Sequence, residues 1–196
     1  MSLETWLLLG IFGIVLAIAI RVNEISKILK KKLKIKMEKN KYLQGGCICG
    51  KARYQITEKP LFTQACHCRD CKVLTGSSFI INTSILDNTL ILNGEVSSIE
   101  LKAGSGAPYK TYFCTKCGTY VYADYDSAVR RLTVRTKTLD QASMFPPQAH
   151  IFIKNKDPWL KLSDDAKCFS EMYDQKTTWP EASLKRYKEY LKKTTR

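Results

Sequence analysis

Histidine is scarce in this chain. His67 and His150 are the only two in 196 residues. No convincing Ser/His/Asp arrangement can be assembled around either one. Paired carboxylates in a glycosidase-like pattern are missing as well. The glycine runs, "GSGAP" from Gly104 to Pro108 included, lack the strand and helix context of a phosphate-binding loop. Repeats and low-complexity segments are absent. Excess acidity is absent too: the formal net charge is +14. Nine basic residues lie between Arg21 and Lys41 and six between Lys185 and Arg196, leaving 17 against 14 acidic residues in the stretch between. The basicity belongs to the two flanks, which argues against nucleic acid as a partner of the central domain.

One long apolar run is present, "TWLLLGIFGIVLAIAI" from Thr5 to Ile20. As a helix it would extend about 24 Å. No Lys or Arg precedes it, and "RVNEISKILKKKLKIKMEKNK" follows at once. Basic residues stay on the cytoplasmic side, so the run predicts an uncleaved anchor over 5–22, single-pass, with the domain facing the cytosol. The competing reading is a cleaved signal peptide ending at Ala17, Ile18 and Ala19. Residues 1–4 would be a short tail. Residues 23–41 read as a basic juxtamembrane linker or helix, with Ile25, Leu29 and Leu33 at i+4 spacing suited to anionic lipid.

From Tyr42 onward the pattern changes. Short runs rich in β-branched and aromatic residues, bounded by turn formers, predict strands: "ARYQI", "SSFIINTSI", "LILNGEVSSIEL", "YKTYFC", "TYVYADY", "RLTVRTKTL" and "HIFIKN". Two helices are expected here. One is a brief turn from about Asp70 to Leu74, ended by Gly76. The other opens at "TWPE", where Thr178 and Glu181 have capping-box spacing, and carries an apolar stripe of Leu184, Tyr187 and Leu191. The chain therefore divides into a mainly β domain over 42–178 and a basic C-terminal helix over 179–196.

Cysteine is what the domain has in quantity. Seven of the eight fall into three tight groups: Cys47 and Cys49; Cys66, Cys68 and Cys71; Cys114 and Cys117. Disulfides are disfavoured in a cytosolic domain, and such close spacing suits thiolates converging on one ion. Ferredoxin spacings do not match, so zinc is the expected metal. Seven ligands divide as four plus three. Joining the two paired groups, Cys47 and Cys49 with Cys114 and Cys117, makes a closed structural site. The triplet then holds a second zinc with three thiolates and an open position, the pattern of a catalytic metal.

Other groups bear on that second site. His67 lies between two ligands, where an extended backbone would aim it away. His150 reads as a hydrogen-bonded, half-buried residue, or as one facing substrate. Cys168 is either a packed free thiol or a fourth ligand. Arg69 and Lys72 flank the triplet and could offset its charge or hold carboxylates of a substrate. Arg53 is a lesser candidate, and surface solubility accounts for all three equally. Ser77 and Ser78 could present hydroxyls near the metal, or simply bond locally where the next strand starts.

In this order, "GGCICGKARY", "CHCRDCKVLTGSSF", "FCTKCGTYVY" and "AHIFIKNKDPW" resemble the glutathione-dependent formaldehyde-activating (GFA) family, which also includes centromere protein V. The resemblance covers roughly Tyr42 to Trp159. It implies coiled, mostly antiparallel β-sheets built around two zincs. It also implies that Cys47, Cys49, Cys114 and Cys117 are structural, and that Cys66, Cys68 and Cys71 are catalytic. The implied activity is that of a carbon–sulfur lyase, with glutathione and formaldehyde in equilibrium with S-hydroxymethylglutathione. Three thiolates on zinc leave a net charge of −1, which suits holding a substrate thiol as thiolate better than making hydroxide. The expected partners are thus a small thiol, an aldehyde and, through the N-terminal segment, a membrane. The other class considered is a non-catalytic zinc module that binds a protein or membrane partner.

Overall fold

The computed structural model describes residues 21–28, 42–102, 107–125 and 129–194. It divides into two units, Met1–Tyr42 and Leu43–Arg196.

In the first unit, residues 21–28 are helical and mostly exposed. The expected anchor over 5–22 otherwise lies outside the described residues, as do Leu29 and Leu33. A membrane span needs about 20 apolar residues, whereas the described stretch carries Arg21, Glu24 and Lys27. Among the described residues no helix is long and apolar enough to cross a membrane. The single-pass, cytosol-facing localisation and the membrane partner are corrected accordingly.

In the second unit the chain makes ten strands among the described residues. They are β1 (Leu43–Gly46), β2 (Arg53–Ile56), β3 (Phe62–Cys66), β4 (Ile80–Leu86), β5 (Leu90–Asn93), β6 (Val96–Lys102), β7 (Pro108–Cys114), β8 (Tyr120–Asp124), β9 (Arg131–Arg135) and β10 (His150–Ile151). Three α-helices accompany them among the described residues: α1 (Arg69–Thr75), α2 (Gln175–Thr178) and α3 (Glu181–Thr194). Strands β1, β2 and β5 form a small antiparallel sheet in the order β1-β2-β5. The other seven form a large sheet, β10-β3-β4-β9-β8-β7-β6, antiparallel except for the β10–β3 pair.

Period-two alternation sends the side chains of the large sheet to two cores. On one face Ile85, Val121, Tyr122 and Val134 pack against Tyr54 and Ile56 of the small sheet. On the opposite face Phe62, Cys66, Ile80, Leu86 and Ile151 meet Tyr173, Trp179 and Tyr187. The expected stripe of α3 is what packs there, with Tyr187 buried and Leu184 and Leu191 half-buried. The helix starts later than the capping-box pattern suggests. Thr178 ends α2, and the Pro180 carbonyl accepts the Leu184 N–H at 3.1 Å.

The run "LILNGEVSSIEL" is two strands in two different sheets. The break is at Gly94, where φ is +101° and a Cβ would lie 2.0 Å from the Lys51 carbonyl oxygen. Only glycine fits there. A bulge also interrupts β7–β8: Tyr112 faces Tyr122 and Phe113 faces Tyr120, leaving Val121 extra. The bulge puts Tyr120 on the face that carries Cys66, while Tyr122 stays on the other.

Candidate metal centres

All eight cysteines are free thiols, and seven of them gather into two clusters. In each cluster the sulfurs lie within 4.8 Å of one another: Cys47, Cys49, Cys114 and Cys117 in one, and Cys66, Cys68 and Cys71 in the other.

The quartet is made by two tight turns that face each other. After β1, the Cys47 carbonyl accepts the Gly50 N–H at 3.1 Å, and the Cys47 N–H donates to Ala52 O at 2.9 Å. After β7, the Cys114 carbonyl accepts the Gly118 N–H at 2.9 Å, with Gly118 at φ +69°. The Ile48 N–H donates to the Thr119 hydroxyl at 3.3 Å and links the turns. Sulfur–sulfur distances of 3.4 Å for Cys47–Cys49 and 3.8 Å for Cys49–Cys114 approach the ~3.8 Å edge of a tetrahedron with Zn–S bonds of about 2.3 Å. Cys47 and Cys114 are buried while Cys49 and Cys117 are exposed. The Thr119 hydroxyl draws the Cys117 thiol down to about 5. The Lys51 backbone N–H favours ionisation of Cys49, but desolvation and the neighbouring sulfurs push it up to about 11.

The trio comes from one continuous turn of chain. Cys66 is the last residue of β3, and Cys68 is the N-cap of α1, its sulfur accepting the Cys71 N–H at 3.4 Å. Cys71 sits in the first helical turn. Strand end, N-cap and first turn are what C-x-C-x-x-C spells out in three dimensions, and left-handed Gly76 closes the helix as expected. Cys66 is buried; Cys68 and Cys71 are half-buried. Contacts from Cys66 and Cys71 hold Cys68 down near about 2. The Cys68 and Cys71 sulfurs, with burial, push Cys66 up. Cys71, although its Cys66 contact favours ionisation, is driven to about 12 by Cys68 and burial. Three thiolates this close together repel one another unless a cation lies among them. Both donor sets therefore fit a soft divalent ion, and either cluster could hold one.

The remaining candidates are dispersed. His67 is fully buried, and its Nε2 lies 3.0 Å from Nδ1 of half-buried His150; its ring is not among the clustered donors. Burial, then the charges of His150, Lys156 and Lys72, lowers His67 to about 4. Cys168 is exposed, bridges to His150 through the backbone and lies outside the trio's cluster. Lys72 is committed to Asp157 at 2.5 Å and to Asn155 O at 2.9 Å. Arg69 is exposed on α1. Arg53 belongs to the other sheet, paired with Asp140 at 3.0 and 2.5 Å. Ser77 donates to Phe79 O at 2.6 Å, and Ser78 bonds Asp157.

Sequence reasoning missed Arg135, on β9. It is 4% exposed, with Nη1 on Asn82 Oδ1, Nη2 2.6 Å from the Tyr120 hydroxyl, and its guanidinium 4.1 Å from the Tyr120 ring centroid. Tyr125 stacks on Tyr109 at 4.8 Å beside it. The available signal was the alternation of "RLTVRTKTL": with Leu132 and Val134 facing one core, Arg135 must face the other.

A β-domain with one sulfur quartet and one sulfur trio, each able to hold a soft metal ion, defines a class of cysteine-cluster protein. The sequence comparison places it further: the chain belongs to the family described as glutathione-dependent formaldehyde-activating enzyme, which matches residues 42–155, more than half of the chain. No curated protein matches. A crystal structure of a Rhodobacter sphaeroides protein aligns at 20% identity and a TM-score of 0.40, over 50% of this chain and 88% of that one.

Proposed function

We propose that the protein is a zinc-dependent carbon–sulfur lyase of the GFA type, forming or cleaving thiol–aldehyde adducts such as S-hydroxymethylglutathione. Cys47, Cys49, Cys114 and Cys117 hold a structural zinc, and Cys66, Cys68 and Cys71 hold a catalytic one. The observation that carries this reading is the trio itself. Among the described residues, three sulfurs converge with no fourth His, Cys, Asp or Glu in the group, and Cys68 and Cys71 are half-buried rather than sealed off.

Zinc bound there supplies a thiophilic ion that keeps a substrate thiol as thiolate near neutral pH. The chain's own residues position the reaction. The β3–β4 ladder fixes Cys66 opposite Ile80, and the N-cap geometry fixes Cys68 relative to Cys71. The Lys72–Asp157 pair ties α1 to the loop after β10, so that the open side keeps its shape. In the forward direction the substrate sulfur adds to the aldehyde carbon. A C–S bond forms, the carbonyl π pair moves to oxygen, and that oxygen takes the proton the thiol gave up. The lyase direction is the reverse. Arg69, exposed on the first turn of α1, is available to a substrate carboxylate; Lys72 and Arg53 are occupied.

The test is exchange spectroscopy on the zinc-loaded full chain with glutathione and formaldehyde. Adduct interconversion faster than the uncatalysed rate, and lost in Cys68→Ser, is expected. A rate at the uncatalysed level in a chain that holds two zincs would leave a non-catalytic zinc module instead.

A further inference from the structure

Arg135 has no carboxylate within ion-pairing distance among the described residues, although it is almost fully buried. Its neighbours are an amide, Asn82, and two phenols, Tyr120, whose burial pushes its hydroxyl well up, and the partly exposed Tyr125. Its Nε is buried without a hydrogen-bond partner, as are those of Arg130 and Arg131. Arg130, however, has the Asp87 carboxylate at 3.2 Å, and Arg131 lies over the faces of Trp179 and Tyr187. A guanidinium buried without an anion is strongly disfavoured, so a complement is to be sought on the face it points to.

Strand register identifies it. Cys66 lies opposite Ile80 in the β3–β4 ladder, Asn82 follows two residues along β4 on the same face, and Arg135 lies opposite Asn82. Tyr120, which takes the guanidinium's hydrogen bond, packs in the same apolar cluster as Cys68 and Cys71. The register and packing thus put the trio on the face to which Arg135 points.

We infer that Arg135 is the charge partner of the three-thiolate centre, a positioning residue that raises the trio's affinity for its cation and then for a thiolate as a further ligand. The inference rests on the reading of the trio as a metal site. A divalent ion with three thiolates carries −1, and Arg135 brings the buried assembly to neutrality. With a fourth thiolate the assembly reaches −1 rather than −2, which makes a thiol a tolerable guest. No bond to Arg135 forms or breaks.

The test uses the full chain loaded with cobalt(II), whose sulfur-to-metal charge-transfer bands report each site. Wild type, Arg135→Gln and Arg135→Lys are compared by chelator competition, then by titration with 2-mercaptoethanol, a monothiol with no carboxylate. In Arg135→Gln one of the two cobalt affinities is expected to fall about 10–100-fold, as for other residues that support metal ligands. The other affinity is unchanged, thiol binding weakens in parallel, and Arg135→Lys recovers most of both. Unchanged affinities in a folded Arg135→Gln protein overturn the inference. If the Gln variant does not fold, Arg135→Lys decides alone: near-wild-type cobalt affinity upholds a charge role, and loss of it in a folded Lys variant overturns it. A wild-type chain that binds two cobalts but no thiol defeats the lyase reading, while the cobalt arm still decides the role of Arg135.

Discussion

Replacing one cysteine in each cluster should have very unequal effects on stability. The quartet joins residues 65 apart in sequence, Cys49 and Cys114, and bridges a turn of the small sheet to a turn of the large one. Treated as a cross-link, a loop of that length removes about 4 kcal/mol of chain entropy from the unfolded state. The trio spans only Cys66 to Cys71, within a segment already fixed by β3 and α1; the same treatment yields about 2 kcal/mol as an upper bound. For a domain of this size each kcal/mol moves Tm by about 2–4 °C. Cys114→Ser should therefore lower Tm by roughly 8–16 °C, and Cys68→Ser by no more than roughly 4–8 °C. Thermal unfolding of the zinc-loaded proteins, followed by far-UV circular dichroism, reads both. Equal shifts, or a larger one for Cys68→Ser, would refute the division into a structural and a working site.

Three further outcomes are expected. Gly94→Ala should destabilise the fold by about 1–3 kcal/mol or more in urea unfolding, because the residue sits at φ +101° with a Cβ forced onto Lys51 O; a neutral result would contradict the sheet crossing at that point. Trp179→Ala, removing a ring that is 5% exposed, stacked on Phe62 at 5.7 Å and bonded to Tyr173 at 2.9 Å, should cost about 3–5 kcal/mol while both metals remain bound; loss of the trio's metal alone would show that the C-terminal segment shapes the site directly. Arg53→Ala should leave adduct turnover unchanged and shift stability by at most ~1 kcal/mol, as for other exposed pairs; a large fall in turnover would return Arg53 to the active site.

The trio was legible because its three cysteines are close in sequence, where spacing alone dictates convergence; the quartet was legible as two close pairs, whose joining across 65 residues the structure had to supply. The helix of the trio could be read for the same reason: Gly76 marks its end locally. Long-range features were less accessible. Strand β1 is half glycine, "LQGG", and carries no alternation. Strand β3 has buried residues on both faces, so its pattern does not alternate either. Gly94 divides one apparent strand through a backbone angle that the residue letters do not spell. The His67–His150 contact joins residues 83 apart. Arg135 reaches the trio's face only through the register of three strands and a bulge that turns Tyr120 toward it.

The most direct measurement is zinc-edge X-ray absorption on the two-zinc chain, before and after adding a monothiol. A closed quartet beside an open trio predicts an average of about 3.5 sulfurs per zinc, rising to about 4 with thiol. An average of four from the outset, or one that thiol leaves unchanged, would contradict an open second centre.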